Sequence, residues 1–201
     1  MTAIMLAVTF ILFMRTGLDP QTASDPQKAL PLLAQKASLF GAIGIFAALA
    51  AGFGLVYAIG LFGRLRDRAP TRAYAQLALA VVGLTGHALG ALIFWRGAAA
   101  LTSVYTTDQV AASHAWLAVN ATIQGLNTLG DAFTGASVLV AGWAIAATGA
   151  LSPALGQLAV LTGAIMLLQL FSRSPFLFPL AIILTLVWLV WGGRQLRRAA
   201  A

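Results

Sequence analysis

Few side chains in this sequence can hold or pass a proton, and most of those that can do so within an apolar run fall on one stretch. Asn120, Gln124, Asn127 and Asp131 follow one another at spacings of four, three and four, with Thr134 extending the run and Thr128 flanking it. That is the helical repeat, so the four amide and acid groups share one face. Lipid cannot satisfy an amide or a carboxyl, and this polar seam is therefore expected to look into protein or a wet cavity. The other titratable group in the middle of an apolar run is His87, set among Ala80, Gly83, Gly86, Gly90 and Ala91. Gly86 and Gly90 have the four-residue spacing that lets two helices approach closely. The expected arrangement packs the helix carrying Gly83, Gly86 and Gly90 against the helix carrying the seam. His87 then meets Asp131 directly or reaches Asn127.

Three kinds of chemistry fit these residues. The amides and the acid can form an interhelical hydrogen-bond network that sets register and partner choice. Asp131 and His87 can form a route for a small solute or a proton, the usual role of ionisable groups inside a membrane. A lone imidazole ringed by small residues can also ligate haem or chlorophyll, and His87 is the candidate; otherwise no cofactor is expected. His114 lies near a helix start at the outer surface, too far along the chain's depth to clamp one haem with His87. Catalysis is not expected. Thr128-Leu129-Gly130-Asp131 departs from the aspartyl intramembrane protease motif at its first position, and no second membrane aspartate completes a pair. Gly135-Ala136-Ser137-Val138 departs from the rhomboid nucleophile motif at its last position. There is no phosphate-binding loop, no HExxH and no carboxylate set for a metal. Cysteine is absent, which removes disulfides and thiol chemistry.

The elements that position these groups follow from composition. The chain has 201 residues, 60% of them hydrophobic and 8% charged, with a mean hydropathy of +0.90. A soluble domain carries roughly 25% charged residues because its surface faces water. Lipid must cover this chain instead. The expected fold is all-α, a single polytopic transmembrane bundle of about six spans. The apolar runs fall at about 2–14, 39–63, 75–95, 114–147, 155–171 and 176–191. The first, Thr2 to Met14, reaches about 20 Å of a core about 30 Å thick. Between it and the second lies a polar connection, Arg15 to Ala37, in which Asp25-Pro26 reads as a helix cap and Leu30, Leu32 and Leu33 suggest a segment on the membrane surface. A loop is expected from Arg96 to Ser113. Trp95, Trp116, Trp143 and Trp191 fall near span ends, as an aromatic belt would place them.

The net charge of +7 is concentrated after the second span, at Arg64, Arg66, Arg68 and Arg72, and at the end of the last, at Arg194, Arg197 and Arg198. With six spans both clusters face the cytoplasm, giving an N-in, C-in orientation. The basic residues orient the chain in the bilayer, and nucleic-acid binding is not expected.

The order of spans, with a short first span and a polar outer loop, resembles an uncharacterised bacterial family of six-helix membrane proteins classed only as a domain of unknown function. The resemblance continues from Gly142-Trp143 through Gly149-Ala150-Leu151-Ser152-Pro153-Ala154-Leu155-Gly156 and closes with Trp188-Leu189-Val190-Trp191-Gly192-Gly193. It implies the same fold in a bacterial inner membrane and carries over no functional residue. The leading functional expectation is a non-enzymatic bundle, an accessory or binding subunit of a larger membrane complex, with lipid and membrane-protein subunits as partners. Gly41, Gly44, Gly52, Gly54 and Gly60 would pack internally or against such a partner. The alternative is a small-solute or proton-coupled transporter using Asp131 and His87.

Overall fold

A computed structural model describes residues 1–172 and 176–198, and every regular element among them is a helix. In chain order these are α1 (Thr2–Met14), α2 (Pro20–Ser24), α3 (Pro26–Gln35), α4 (Ala37–Leu65), α5 (Pro70–Tyr105), α6 (Gln109–Thr148), α7 (Pro153–Phe171) and α8 (Leu177–Arg198). The five helices from α4 to α8 are long and apolar enough to cross a membrane, whereas α1 has 13 residues.

The connection expected between Arg96 and Ser113 is instead largely helix. The run Gly97-Ala98-Ala99-Ala100-Leu101 is rich in strong helix formers, so α5 continues to Tyr105. Only Thr106 to Asp108 turn before α6 begins, with the Asp108 carboxylate accepting from the Ala111 amide at 2.9 Å. The extra turns of α5 and α6 stand beside α2 and α3. Leu30 and Leu33 of α3, expected on the membrane surface, are fully buried against Phe40, Ala98, Leu101 and Ala112. Burying those leucines against helix ends removes about 2 kcal/mol of apolar exposure each, which a polar surface position would leave unused. Trp116 belongs to this core beside α2 and α3, not to an interfacial belt. It is 1% exposed, and its indole Nε1 donates to the Ala23 carbonyl at 2.9 Å.

Both short helices are capped as their sequences require. Asp19 accepts from the Thr22 amide at 2.6 Å and Asp25 from the Gln27 amide at 3.0 Å, each followed by a proline at the first helical position. The Lys36 ammonium donates to the carbonyls of Arg15 and Thr16 at 3.2 and 2.8 Å, tying the end of α1 to the start of α4.

At the opposite end the connections are short and arginine-rich. Arg68 donates to the carbonyl of Gly149 at 3.1 Å, where glycine permits the left-handed backbone (φ 61°) that ends α6. Ser152 and Gln195 bond reciprocally, amide to Oε1 at 2.9 Å and Nε2 to Oγ at 2.6 Å. The loop after α4, the α6–α7 turn and the end of α8 therefore share one end of the bundle. Arg72 stacks over the exposed ring of Trp143 at 4.0 Å there.

The spans are held together by backbone approach through glycines. A Cβ on Gly44 would lie 2.5 Å from the Trp95 Cβ, and one on Gly54 3.0 Å from Leu84. Between α6 and α7 the contact is with backbone atoms and repeats after seven residues. A Cβ on Gly142 would lie 2.7 Å from the Gly156 carbonyl, and one on Gly163 2.6 Å from the Gly135 carbonyl. Gly52, by contrast, faces open space.

Gly163→Val is expected to lower stability in detergent by about 1–3 kcal/mol, the usual cost of overpacking, while Gly52→Ala leaves it unchanged; thermal unfolding of the two variants checks this. The Thr22 amide holds the Asp19 carboxyl below its usual range, and Lys28 does the same for Asp25. A depressed folded value stabilises above the unfolded value and is lost as the pH falls through the folded one. Amide exchange in α2 and α3 is therefore expected to stay slow from pH 7 to pH 5 and to quicken below about pH 4.

Candidate functional site

Two seams of α5 define where His87 projects. Leu84, Ala91 and Trp95 carry α4, while Gly83, Gly86 and Gly90 carry α6. His87 lies between these two sets and opposite the exposed side chains of Val82, Leu89 and Leu92, so it points into the bundle. On α6 the contact with α5 runs through Leu126, Gly130 and Thr134, and the contact with α7 through Gly135, Leu139 and Gly142. Asp131 falls between those sets and also faces inward.

The seams bring the two together. The His87 Nε2 stands 3.6 Å from an Asp131 carboxylate oxygen, and the two side chains are 30% and 31% exposed. The separation is longer than a direct hydrogen bond, which peaks near 2.9 Å, and fits an ion pair or a pair bridged by a small polar group. The imidazole lies flat against Gly130, where a Cβ would sit 2.7 Å from the ring. Gly130 is thus as necessary to the site as the imidazole and the carboxyl themselves. Its Nε2 is turned to Asp131, so an axial bond from that nitrogen to a haem or chlorophyll would require the pair to separate.

The remaining seam residues divide among separate tasks. Asn127 keeps its side-chain oxygen at the α5 contact, in space that a Cβ on Gly90 would approach to 2.8 Å. Thr134 sits against Gly83, where a Cβ would collide with its hydroxyl. Asn120 does not join the pair. Its Nδ2 donates to the Ala23 carbonyl at 3.3 Å, the acceptor Trp116 also uses, and so fastens α2 to α6. Gln124 is exposed, and its side chain makes no hydrogen bond among the described residues. One helical face thus carries a latch to α2, an exposed amide, and a half-buried site about one to two turns further along α6.

His114 lines a separate recess of about 550 Å³ at the outer end with Gln27, Tyr105 and Gln109, well apart from His87. Among the described residues no three His, Asp or Glu side chains group as a metal site would need.

A second polar contact, between α5 and α6, was not expected from the sequence. Gln76 and Ser137 are 2% and 4% exposed; the Ser137 hydroxyl donates to the Gln76 backbone carbonyl at 2.8 Å, and Gln76 Nε2 lies 3.4 Å from it. A signal for Gln76 existed. Gln76, Ala80, Gly83 and His87 follow at spacings of four, three and four, which places the amide on the face of the imidazole.

No protein-family model, curated protein or solved structure matches the chain. Its chemistry is therefore read from this geometry alone.

Gly83→Val is expected to lower stability in detergent by about 1–3 kcal/mol and to part His87 from Asp131, because a Cβ at position 83 would meet the Thr134 backbone amide at 2.5 Å. Thermal unfolding of the variant beside Gly52→Ala checks this.

Proposed function

We propose that this multi-pass membrane protein carries a proton, alone or with a small solute, and that His87 and Asp131 take it up. The observation that supports this reading is the pair itself: an imidazole and a carboxylate 3.6 Å apart, deep in an apolar bundle and each about one-third accessible. A fully occluded pair would serve packing alone. One with open surface can be reached, and either partner can hold the proton while the other stabilises it. Placing such groups inside a membrane is costly unless they are paired, which is why they mark ion and proton routes.

An accessory-subunit role draws less support. Three of the α4 glycines that could have met a partner helix, Gly41, Gly44 and Gly54, are occupied by Trp95 and Leu84 of the same chain. Gly60 is covered by Leu196, and only Gly52 of the set stays open. In this proposal the arginine-rich end faces the cytoplasm of a bacterial inner membrane, because Arg64, Arg66, Arg68 and Arg72 share it with Arg194, Arg197 and Arg198 against Asp67 alone. No catalytic step is assigned.

The test is proton flux in vesicles reconstituted with the purified chain, read by an internal pH dye after an acid pulse. Asp131→Asn and His87→Gln are expected to fall to the protein-free baseline, while Thr128→Val, which alters an exposed hydroxyl on the same helix, keeps the full rate. Equal flux in wild type and Asp131→Asn, with both folded, would overturn the proposal.

A further inference from the structure

Inward of the pair, toward the arginine-rich end, several buried polar atoms have no hydrogen-bonding partner among the described residues. They are the Tyr57 hydroxyl on α4, the Gln76 Oε1 on α5, the Thr134 hydroxyl on α6 and the Trp188 Nε1 on α8. Gln76 and Trp188 are 2% and 5% exposed. Such atoms are costly to bury alone, and natural cores seldom tolerate several together.

Their depths are consistent with one another. Thr134 lies three residues from Asp131, about 5 Å along α6. Tyr57 is one turn past Gly54, which meets Leu84, and so lies about 10 Å inward of His87. Its ring stands edge-on to Trp188 with centroids 4.9 Å apart. Gln76 is bonded to Ser137 about 16 Å inward of His87 along α5. Four helices thus contribute one unpartnered atom each to a band that begins at the pair and runs inward.

Two details argue that the band is built for an occupant. The Tyr57 hydroxyl sits where a Cβ on Gly192 would collide with it, so glycine at 192 makes the cradle that admits the phenol. The hydroxyls of Thr122, Thr128, Thr162 and Thr185 donate to the carbonyl four residues back, whereas the buried Thr134 hydroxyl makes no such bond.

The occupant's chemistry follows from the donor set. Indole Nε1 only donates, amide Oε1 only accepts, and the two hydroxyls do both. A bound anion would call for donors throughout and a metal cation for acceptors throughout. A mixed set suits water, which accepts at Trp188 and donates at Gln76. We propose that Tyr57, Gln76, Thr134 and Trp188 hold a file of buried waters that continues the His87–Asp131 site toward the arginine-rich end. The inference rests on the reading of the pair as a proton site and specifies its cargo: one proton enters at the pair as one leaves the inner end of the file, with no solute required.

Radiolytic hydroxyl labelling of the full chain in detergent tests the waters directly, since radicals formed from bound water oxidise the side chains beside it. Trp188 is expected to label despite its burial, while Trp116, similarly buried with its Nε1 satisfied, does not. Labelling of Trp188 no greater than that of Trp116 would overturn the file. Tyr57→Phe, which keeps the ring and removes the orphan hydroxyl, is expected to cut proton flux at least severalfold without raising the melting temperature. A higher melting temperature with full flux would mean a dry, unsatisfied hydroxyl and sink the inference while leaving the pair intact. If instead Asp131→Asn conducts normally, the pair has no role in transport, and labelling of Trp188 alone decides whether the waters are there.

Discussion

The bundle depends on backbones meeting at glycine. Lipid gives helices no hydrophobic reason to associate, so contact has to come from close van der Waals packing and a few hydrogen bonds. In this chain α6 is gripped from both sides: Gly83, Gly86 and Gly90 of α5 receive Thr134, Leu126 and Asn127, while Gly156 and Gly163 of α7 interlock with Gly142 and Gly135. With both flanks of α6 held at backbone distance, its rotation about its own axis has little freedom. That is what aims Asp131 at His87. The His87–Asp131 pair is a consequence of the packing and contributes little to creating it.

The outline of this arrangement was legible before any coordinates. Low charge, long apolar runs and the positions of arginine pointed to a membrane bundle, because hydropathy over a span is a sum of many residues that all agree. The His87–Asp131 encounter was also readable, from a histidine among small residues and an acid on a polar helical stripe. What failed were inferences from single residues. Trp116 looked like an interfacial tryptophan, yet tryptophan serves equally well as a core residue once its Nε1 finds a carbonyl, here that of Ala23. Leu30 and Leu33 looked like a surface segment because nothing in the sequence shows that α5 and α6 are long enough to cover them. The four-residue stripe was uniform in sequence but not in environment: α7 ends at Phe171 and leaves Gln124 exposed, while α2 claims Asn120.

The α6–α7 contact shows the same limit from the other side. Gly135, Gly142, Gly156 and Gly163 lie at seven-residue intervals on two different helices, and their pairing requires knowing that those helices are antiparallel and in register. Gly142, Gly156 and Gly192 are all close-packing positions in this chain. A motif of this kind records how helices touch and says little about what the protein does.

The shared carbonyl of Ala23 has a mechanical meaning. Because Trp116 and Asn120 both donate to it, α2 is pinned at two points one turn apart to the same helix that carries Asp131, and two donors meeting at one oxygen fix both the height and the rotation of α2 on α6.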